Sequence, residues 1–221
     1  MQRHDALPLS VRAPRSQRRG HVRRERLLGA ACELLTRMPL AQVTYAGVCA
    51  HAGVPASSAH HFYPDLDAIY RALLEAHRTA MDAALMRPLR ERDVRSWQAI
   101  VECLVDRAAR YHRAHPVSSR LVISGETPPQ IKRLDRDADR GRAGFALQLV
   151  EEIFVVPRFA GKARVAYVAT ELVDTVFTAS MLEAGRLTPQ YVRLAKVAAI
   201  GFLTRYFGAS LRRRPRAARR G

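Results

Sequence analysis

The sequence predicts an all-α fold, and two observations support this prediction. Apolar residues recur at intervals of three and four over long stretches, which is the spacing of one face of a helix. Alternating runs of β-branched and aromatic residues, and the dipeptides typical of hairpins, are few. The 221 residues, 48% of them hydrophobic, suffice for one or two domains with a sizeable core.

The first predicted helix covers residues 22–37, and two short helices follow at about 45–51 and 56–62. Thr44 is a natural N-cap, because its hydroxyl can accept a hydrogen bond from an amide of the first turn. Gly53 lies where the first short helix must end, and Pro55 is suited to the first position of the second. Two short helices with this tight turn predict a helix-turn-helix, whose second helix lies in the major groove of DNA.

The remaining chain predicts six more helical segments. Asp65 is a candidate N-cap for a long helix that ends near Met86, and this helix would connect the head to the rest of the molecule. Gly185 is suited to end one helix, and Pro189 is suited to the first position of the next helix. The last five segments cover residues 94–114, 116–124, 128–156, 161–184 and 188–211.

Positive charge is concentrated at the two ends of the chain. The formal net charge is +17; residues 1–26 hold eight arginines against two acids, and residues 212–220 hold six arginines and no acid. Such ends favour a polyanion, most simply nucleic acid. The alternative is that they are solvated termini of an arginine-rich chain, which has 34 arginines but three lysines. We predict disordered tails over residues 1–19 and 212–221.

Several other classes of protein are not favoured. The N-terminus lacks the apolar region of a secretory signal, and no apolar run is long enough to predict a membrane span. Cys32, Cys49 and Cys103 match no zinc or redox spacing and predict buried thiols in a reducing cytoplasm. We find no nucleophile elbow, glycine-rich phosphate loop or metal-ligand cluster, so we expect no enzyme, cofactor or metal site.

The last two helices have the composition of a dimer interface. Small and apolar residues would let two helices from each of two chains form a four-helix bundle, although an intramolecular core would give the same periodicity. The candidate interface residues are Leu172, Val176, Phe177, Leu194, Val197 and Gly201.

At residues 22–75 the chain resembles the TetR/AcrR-type transcriptional regulators. The resemblance rests on RRERLLGAACELL, on Thr44, on Ala-Gly-Val at 52–54 and on His-His-Phe-Tyr-Pro at 60–64. Family members typically show A-G-V-S-x-G-T-x-Y-x-H-F followed by a helix that begins with lysine. This chain keeps the spacing but departs at Pro55, Ser57, Ser58, His60, Phe62, Tyr63 and Leu66. Leu66 replaces a lysine that donates to a phosphate in relatives, so that contact and the operator sequence are not carried over.

The resemblance implies a role for each candidate in the helix-turn-helix. Ala56 and Ser57 would reach base edges, and the other polar residues would contact phosphates or position the head. Thr44 and Tyr45 lie at a helix N-terminus, where amide hydrogens favour phosphate. The candidate DNA-binding residues are Arg23, Arg24, Thr44, Tyr45, Pro55, Ala56, Ser57, Ser58, His60, His61 and Tyr63.

The resemblance further implies a helical C-terminal domain that binds a small molecule and controls the head. We therefore predict a DNA-binding domain over residues 20–81, with its motif at 44–63, and a ligand-binding and dimerisation domain over 82–211. Trp97, Tyr111 and Phe145 are candidate pocket residues, with an ordinary core role as the alternative. The predicted function is a homodimeric repressor that binds a palindromic operator in double-stranded DNA and is released by an unidentified effector, without a membrane partner. The alternative is a basic helical nucleic-acid-binding protein without sequence preference or ligand control.

Overall fold

The computed structural model describes residues 15–215, with side chains from residue 19 onward. Over these residues the fold is all-α, which confirms the predicted class, and the only β pairing is an isolated bridge between Phe154 and Arg213. Short 3-10 turns cover Leu40–Gln42 and Glu91–Val94. The helices are α1 Arg15–Arg37, α2 Tyr45–Ala52, α3 Ala56–Ala59, α4 Leu66–Leu85, α5 Trp97–Ala114, α6 Pro116–Val122, α7 Pro129–Ile153, α8 Lys162–Ala184 and α9 Pro189–Phe207.

Two element boundaries in the head differ from the sequence prediction. Helix α1 begins at Arg15, so residues 15–19 are helical and not part of a disordered tail, while residues 1–14 lie outside the described part of the chain. Helix α3 is a single turn ending at Ala59, and Pro55 is its N-cap and not its first helical residue. Residues 60–62 after α3 form a turn. Pro64 then disfavours a helical conformation at Tyr63, the residue before it.

The first four helices form a head around a common apolar core. Leu27 and Leu35 of α1, Val48 of α2, Ala59 of α3 and Ile69 of α4 are all buried in this cluster. The cluster continues into α5, α6, α8 and α9, so the head is not separated from the rest of the molecule by a flexible linker.

A second core holds the far end of the molecule together. Trp97 and Ile100 of α5 are fully buried there against Val150 of α7 and Leu203 and Phe207 of α9. Helix α8 is long and apolar enough to cross a membrane by length and composition alone, but it packs against α7 and α9 in the manner of a core helix.

The chain after α9 returns to the end of α7. The Val155 N–H donates to the Arg212 carbonyl (2.9 Å), and the Arg214 N–H donates to the Ile153 carbonyl (2.8 Å). The Arg214 side chain also donates from Nε to the Glu151 carbonyl at 2.6 Å. Residues 212–215 were predicted to begin a disordered tail, and these backbone bonds correct that prediction; residues 216–221 lie outside the described range.

Candidate nucleic-acid interface and internal cavity

The turn between α2 and α3 is fixed by local hydrogen bonds. Thr44 Oγ1 accepts from the Gly47 N–H at 3.1 Å, which caps α2 as predicted. Gly53 ends α2 with φ of 60°, in the left-handed region that glycine adopts without strain. The next amide, of Val54, then donates back to the Cys49 carbonyl at 3.0 Å. These bonds set the direction in which α3 leaves the turn.

Aromatic side chains hold α2 against the segment after α3. The Tyr45 hydroxyl donates to the Tyr63 carbonyl at 2.6 Å, and the Tyr45 ring stacks on the His60 ring with 4.8 Å between centroids. His60 Nδ1 lies 2.8 Å from the Pro64 carbonyl and must donate to it, since a carbonyl only accepts. Tyr45 and His60 therefore hold the motif together and have fewer hydrogens to offer a phosphate than the sequence suggested.

The predicted DNA-contact residues lie together on the head. Arg24 lies with its guanidinium 5.5 Å from the Phe62 ring centroid, which brings the start of α1 next to the motif. Leu66, the departure from the family pattern, is half-buried against the core of the head. The exposed candidates are Arg23, Arg24, Thr44, Pro55, Ala56, Ser57, His60 and His61, and the half-buried ones are Tyr45, Ser58 and Tyr63.

A cavity of about 130 Å³, partly open to the surface, lies beyond the head, between α4, α5, α6, α7, α8 and α9. Most of its wall is aliphatic, with small alanines on α8 and α9 that leave the space open. The apolar part of the wall includes Leu104, Val105, Ala108, Phe145, Leu147, Val150, Ala166, Ala169, Ala199, Leu203 and Phe207.

One end of the cavity carries a cluster of charged groups. Carboxylate oxygens of Asp135, Asp139 and Asp174 all lie within 4.8 Å of one another. Lys132 Nζ lies 3.3 Å from Asp135 and 3.8 Å from Asp174. Arg142 Nη1 lies 2.9 Å from Asp139 and 3.9 Å from Asp135. Lys132 and Arg142 are thus two cations that pair with three carboxylates at a largely buried site.

This arrangement changes the pKa of each acid in the cluster. Burial is the main cause, and repulsion from Asp139 adds to it, so the pKa of Asp135 is raised to about 6. Burial also raises the pKa of Asp139, and burial with repulsion from Asp139 raises the pKa of Asp174. Together these shifts mean that the cluster holds a proton more readily than isolated aspartates do.

Two histidines complete the polar end. Burial, with a smaller contribution from Arg142, lowers the pKa of His77 to about 3, and burial lowers the pKa of His112 well below its usual value. Both rings are therefore neutral at physiological pH. His112 Nδ1 lies 2.9 Å from the Ser119 hydroxyl. His77 Nδ1 and Asp139 Oδ2 have no hydrogen-bond partner among the described residues.

Of the three pocket residues predicted from the sequence, Phe145 lines the cavity and the other two do not. Trp97 is fully buried in the second core, edge-on to Phe207. Tyr111 stacks on His115 and directs its hydroxyl to the His77 carbonyl. The prediction missed the polar wall, although the i, i+4 spacing of two aspartates on a predicted helix was a usable signal.

The predicted dimer residues divide into two groups. Leu194, Val197 and Gly201 are exposed along one face of α9, with Val197 69% accessible. Leu172 and Val176 on α8 are half-buried. Phe177 is fully buried within the protomer, edge-on to His112, which corrects its assignment to an interface with a partner.

The head with its capped turn and the cavity-bearing helical body define the class as a helix-turn-helix regulator. A family model described as the tetracyclin repressor-like C-terminal domain matches residues 95–207, just over half of the chain. The chain belongs to the TetR family of transcriptional regulators, whose members are soluble, generally non-enzymatic DNA-binding proteins.

Solved structures support the same fold. A TetR-family transcriptional regulator from Streptomyces coelicolor is 18% identical with a TM-score of 0.58, over 83% of this chain and 99% of that one. A TetR transcriptional regulator from Rhodococcus sp. RHA1 is 19% identical with a TM-score of 0.58, over 84% and 97%. A transcriptional regulator from Cytophaga hutchinsonii ATCC 33406 is 15% identical with a TM-score of 0.54, over 83% and 97%. No curated protein sequence matches the chain.

Proposed function

We propose that the protein is a homodimeric repressor that binds a palindromic operator through α2 and α3 and leaves it when a small molecule enters the cavity. The observation that supports this proposal is that α7 takes part in both the cavity and the contact with the head. One stretch of this helix forms the charged end of the cavity, and its N-terminal turn contacts the head.

DNA recognition is assigned to the exposed surface of the motif. Ala56 and Ser57 are exposed at the start of α3, where a methyl group can contact thymine and a hydroxyl can bond either kind of base edge. His61 is exposed and is a candidate for a phosphate contact. The Thr44 hydroxyl accepts the capping bond and keeps its own hydrogen for a phosphate. Tyr45 and His60 position these groups, as their internal hydrogen bonds require.

Dimerisation is assigned to the exposed face of α9 with the neighbouring surface of α8. Leu194, Val197 and Gly201 recur at helical spacing, and a contiguous exposed apolar face, unlike a single exposed apolar residue, is typical of an interaction surface. Two copies joined here would present two heads, as a palindromic operator requires.

Control by a ligand requires that the cavity and the head be mechanically connected. Helix α6 and the loop after it hold the end of α1: Arg120 Nη1 donates to the Leu35 carbonyl at 2.8 Å, and the Leu40 N–H donates to Glu126 Oε2 at 2.9 Å. These contacts tie the body to the element that supports the helix-turn-helix.

Helix α7 supplies a second connection, which begins at the cavity itself. Arg142 Nε donates to Asp82 of α4 at 2.8 Å, while its Nη1 lies 2.9 Å from Asp139 in the cavity cluster. At the opposite end of α7, Gln130 donates to Asp67 in the first turn of α4 at 2.8 Å. A ligand that binds one arrangement of these helices better than another would shift the head, and only such a difference in affinity can release DNA.

The test is fluorescence anisotropy of the full chain with DNA from upstream of its own gene and with scrambled DNA, across a salt series. Saturable preference for the upstream DNA is expected. Equal binding to both DNAs, with a steep salt dependence, would instead favour a basic protein without sequence preference.

Variants then test the assignment of the reading surface. Ser57→Arg and His61→Ala should change operator affinity and leave the oligomeric state unaltered. Ser210→Arg is the matched control for Ser57→Arg, because it adds the same positive charge at an exposed serine beyond α9, outside the motif. Unchanged operator affinity in both motif variants would contradict the assignment.

A further inference from the structure

We infer that the cavity takes a small organic cation: a molecule with one ammonium or similar monovalent head and an apolar body about the size of one six-membered ring. This inference rests on the proposed role of the cavity as the effector site, and it adds the chemical class of the effector.

The charges at the polar end do not balance. Asp135, Asp139 and Asp174 bring three negative charges, and Lys132 and Arg142 bring two positive charges. The surplus is therefore one negative charge.

Groups at the rim do not supply the missing positive charge. Asp82 on α4 also pairs with Arg142, but its side chain is 37% exposed, so solvent screens its charge and it is left out of the balance of the buried cluster. Glu171 on α8 is paired with Arg136 at 3.1 Å. The two neutral histidines, His77 and His112, leave the balance unchanged. A monovalent cation is thus the species that compensates the cluster.

Two buried atoms at the charged end can accept a hydrogen bond from the head, whereas the third atom there without a partner among the described residues, Arg142 Nη2, is a donor. Asp139 is 3% exposed, and its Oδ2 accepts no hydrogen bond from any described residue. His77 is 2% exposed, and its Nδ1 is likewise without a partner in the part of the chain that the structure describes. An unsatisfied buried acceptor is costly, so a donor that bonded either atom would remove that penalty. A protonated amine offers up to three such donors.

Burial, with repulsion between carboxylates as a smaller cause, raises the pKa values of the three acids, so the cluster tends to hold a proton. An ammonium head supplies the same positive charge together with directional N–H groups. The organic cation therefore takes the place of this proton and brings the binding energy of its body as well.

The lining and volume of the rest of the cavity indicate the polarity and size of the ligand's apolar body. Beyond the charged end the wall is built from Leu104, Leu147, Val150, Leu203 and Phe207. A volume of about 130 Å³ is close to that of engineered apolar cavities of about 150 Å³, which bind benzene. One ring or a short branched alkyl group fills this space.

Two other ligand classes fit the cluster less well. An anionic head would add a second surplus negative charge beside the three carboxylates. A divalent metal ion would overcompensate the single surplus charge, and the positive charges of Lys132 and Arg142 beside the same carboxylates would repel it. A metal would also leave the apolar part of the cavity unused.

The experiment is isothermal titration of the wild-type protein with three probes that share one body: benzylammonium, benzyl alcohol and benzoate. Benzylammonium is expected to bind roughly ten- to a hundredfold more tightly than benzyl alcohol, the difference typical of a charge-assisted hydrogen bond, and benzoate most weakly. Equal or tighter binding of the alcohol or the acid would overturn the inference. So would failure of benzylammonium to bind at millimolar concentration, or its displacement by Mg²⁺.

Variants locate the site. Asp174→Asn removes the surplus charge and should reduce the preference for benzylammonium over benzyl alcohol at least severalfold. Asp137→Asn is the matched control, because Asp137 lies on α7 but is exposed and paired with Arg140 outside the cavity. Equal loss in both variants would contradict the assignment, and circular dichroism reports whether each is folded. If Asp174→Asn does not fold, the three-probe series on the wild type still decides.

The same probes separate this inference from the proposed function. Operator binding without any preference for the ammonium probe would overturn the ligand class and leave the regulator intact. Preferential binding of benzylammonium without release of operator DNA would support the ligand class and contradict ligand-controlled release.

Discussion

Replacement of Gly53 by alanine tests whether the turn of the helix-turn-helix depends on a left-handed residue. Gly53 has φ of 60°, a conformation that costs a residue with a Cβ roughly 1–2 kcal/mol. An added Cβ would lie 2.9 Å from Arg26 Nη2, which is the end of a flexible side chain and can move away cheaply. The cost is therefore mainly backbone strain, and Gly53→Ala should destabilise the protein by about 1–2 kcal/mol.

Gly29 provides a matched control for the same chemical change. It lies inside α1, is exposed, and has no neighbouring atom within 4 Å of an added Cβ. Alanine is favoured over glycine at such a helix position by about 0.5–1 kcal/mol. The two substitutions should thus differ by about 2 kcal/mol and have opposite signs.

Urea unfolding followed by circular dichroism measures both effects, at one protein concentration because oligomerisation changes apparent stability. Operator affinity, measured by anisotropy, should fall in Gly53→Ala and stay unchanged in Gly29→Ala, since only the first alters the direction of α3. A Gly53→Ala protein as stable as the wild type, or a shift of the same sign in both variants, would refute the reasoning.

Three further predictions follow from the body of the protein. Asp135→Asn should stabilise the protein by up to about 3 kcal/mol near pH 8, because the folded state raises the carboxyl pKa from 3.8 to about 6 and so resists ionisation. This gain should vanish below about pH 4, where the wild-type carboxyl is protonated in both states, and a pH-independent gain in urea unfolding would count against it. Val197→Glu should give monomers in sedimentation velocity, since a charge buried in an interface costs several kcal/mol, whereas Val22→Glu, at another exposed apolar residue, should not. The double variant Arg120→Met, Glu126→Ala should bind benzylammonium with an affinity within about twofold of the wild type. The effect of benzylammonium on operator affinity should be weaker in this variant, because two contacts worth about 1–3 kcal/mol are lost. Full release of DNA by the variant would show that these contacts do not couple the two sites.

The sequence predicted the fold class and the positions of most helices, because those features depend on local chemistry. Thr44 and Asp65 cap their helices as expected, and Gly185 ends α8 where a glycine was expected to do so. The start of α1 was missed because arginine-rich composition resembles a disordered tail. Similarly, Arg214 is held by backbone groups of α7 some 60 residues away, and no local pattern reports such a contact.

The candidate sites were predictable to different degrees for a related reason. The head is contiguous in sequence, so Ser57 and His61 could be placed on its surface from residues 44–64 alone. The cavity is lined by residues of six helices, and periodicity does not show which side chains of different helices meet. Phe177 was assigned to a partner interface because the apolar faces of a core helix and an interface helix have the same pattern. The structure distinguishes the two by burial, at 0% for Phe177 and 69% for Val197.

The charged end of the cavity also explains how occupancy could be transmitted. Buried ion clusters seldom add stability over a well-packed apolar core, so Asp135, Asp139 and Asp174 are expensive groups to place there. Their cost falls when a cation enters, and Arg142, which divides its guanidinium between Asp139 and Asp82, is then less strongly held by the cavity. Because Asp82 belongs to α4, which is itself a helix of the head, we expect this weaker hold on Arg142 to give the proposed ligand a different affinity for an alternative position of α4. An apolar cavity of equal volume would bind the body of a ligand but would lack this connection.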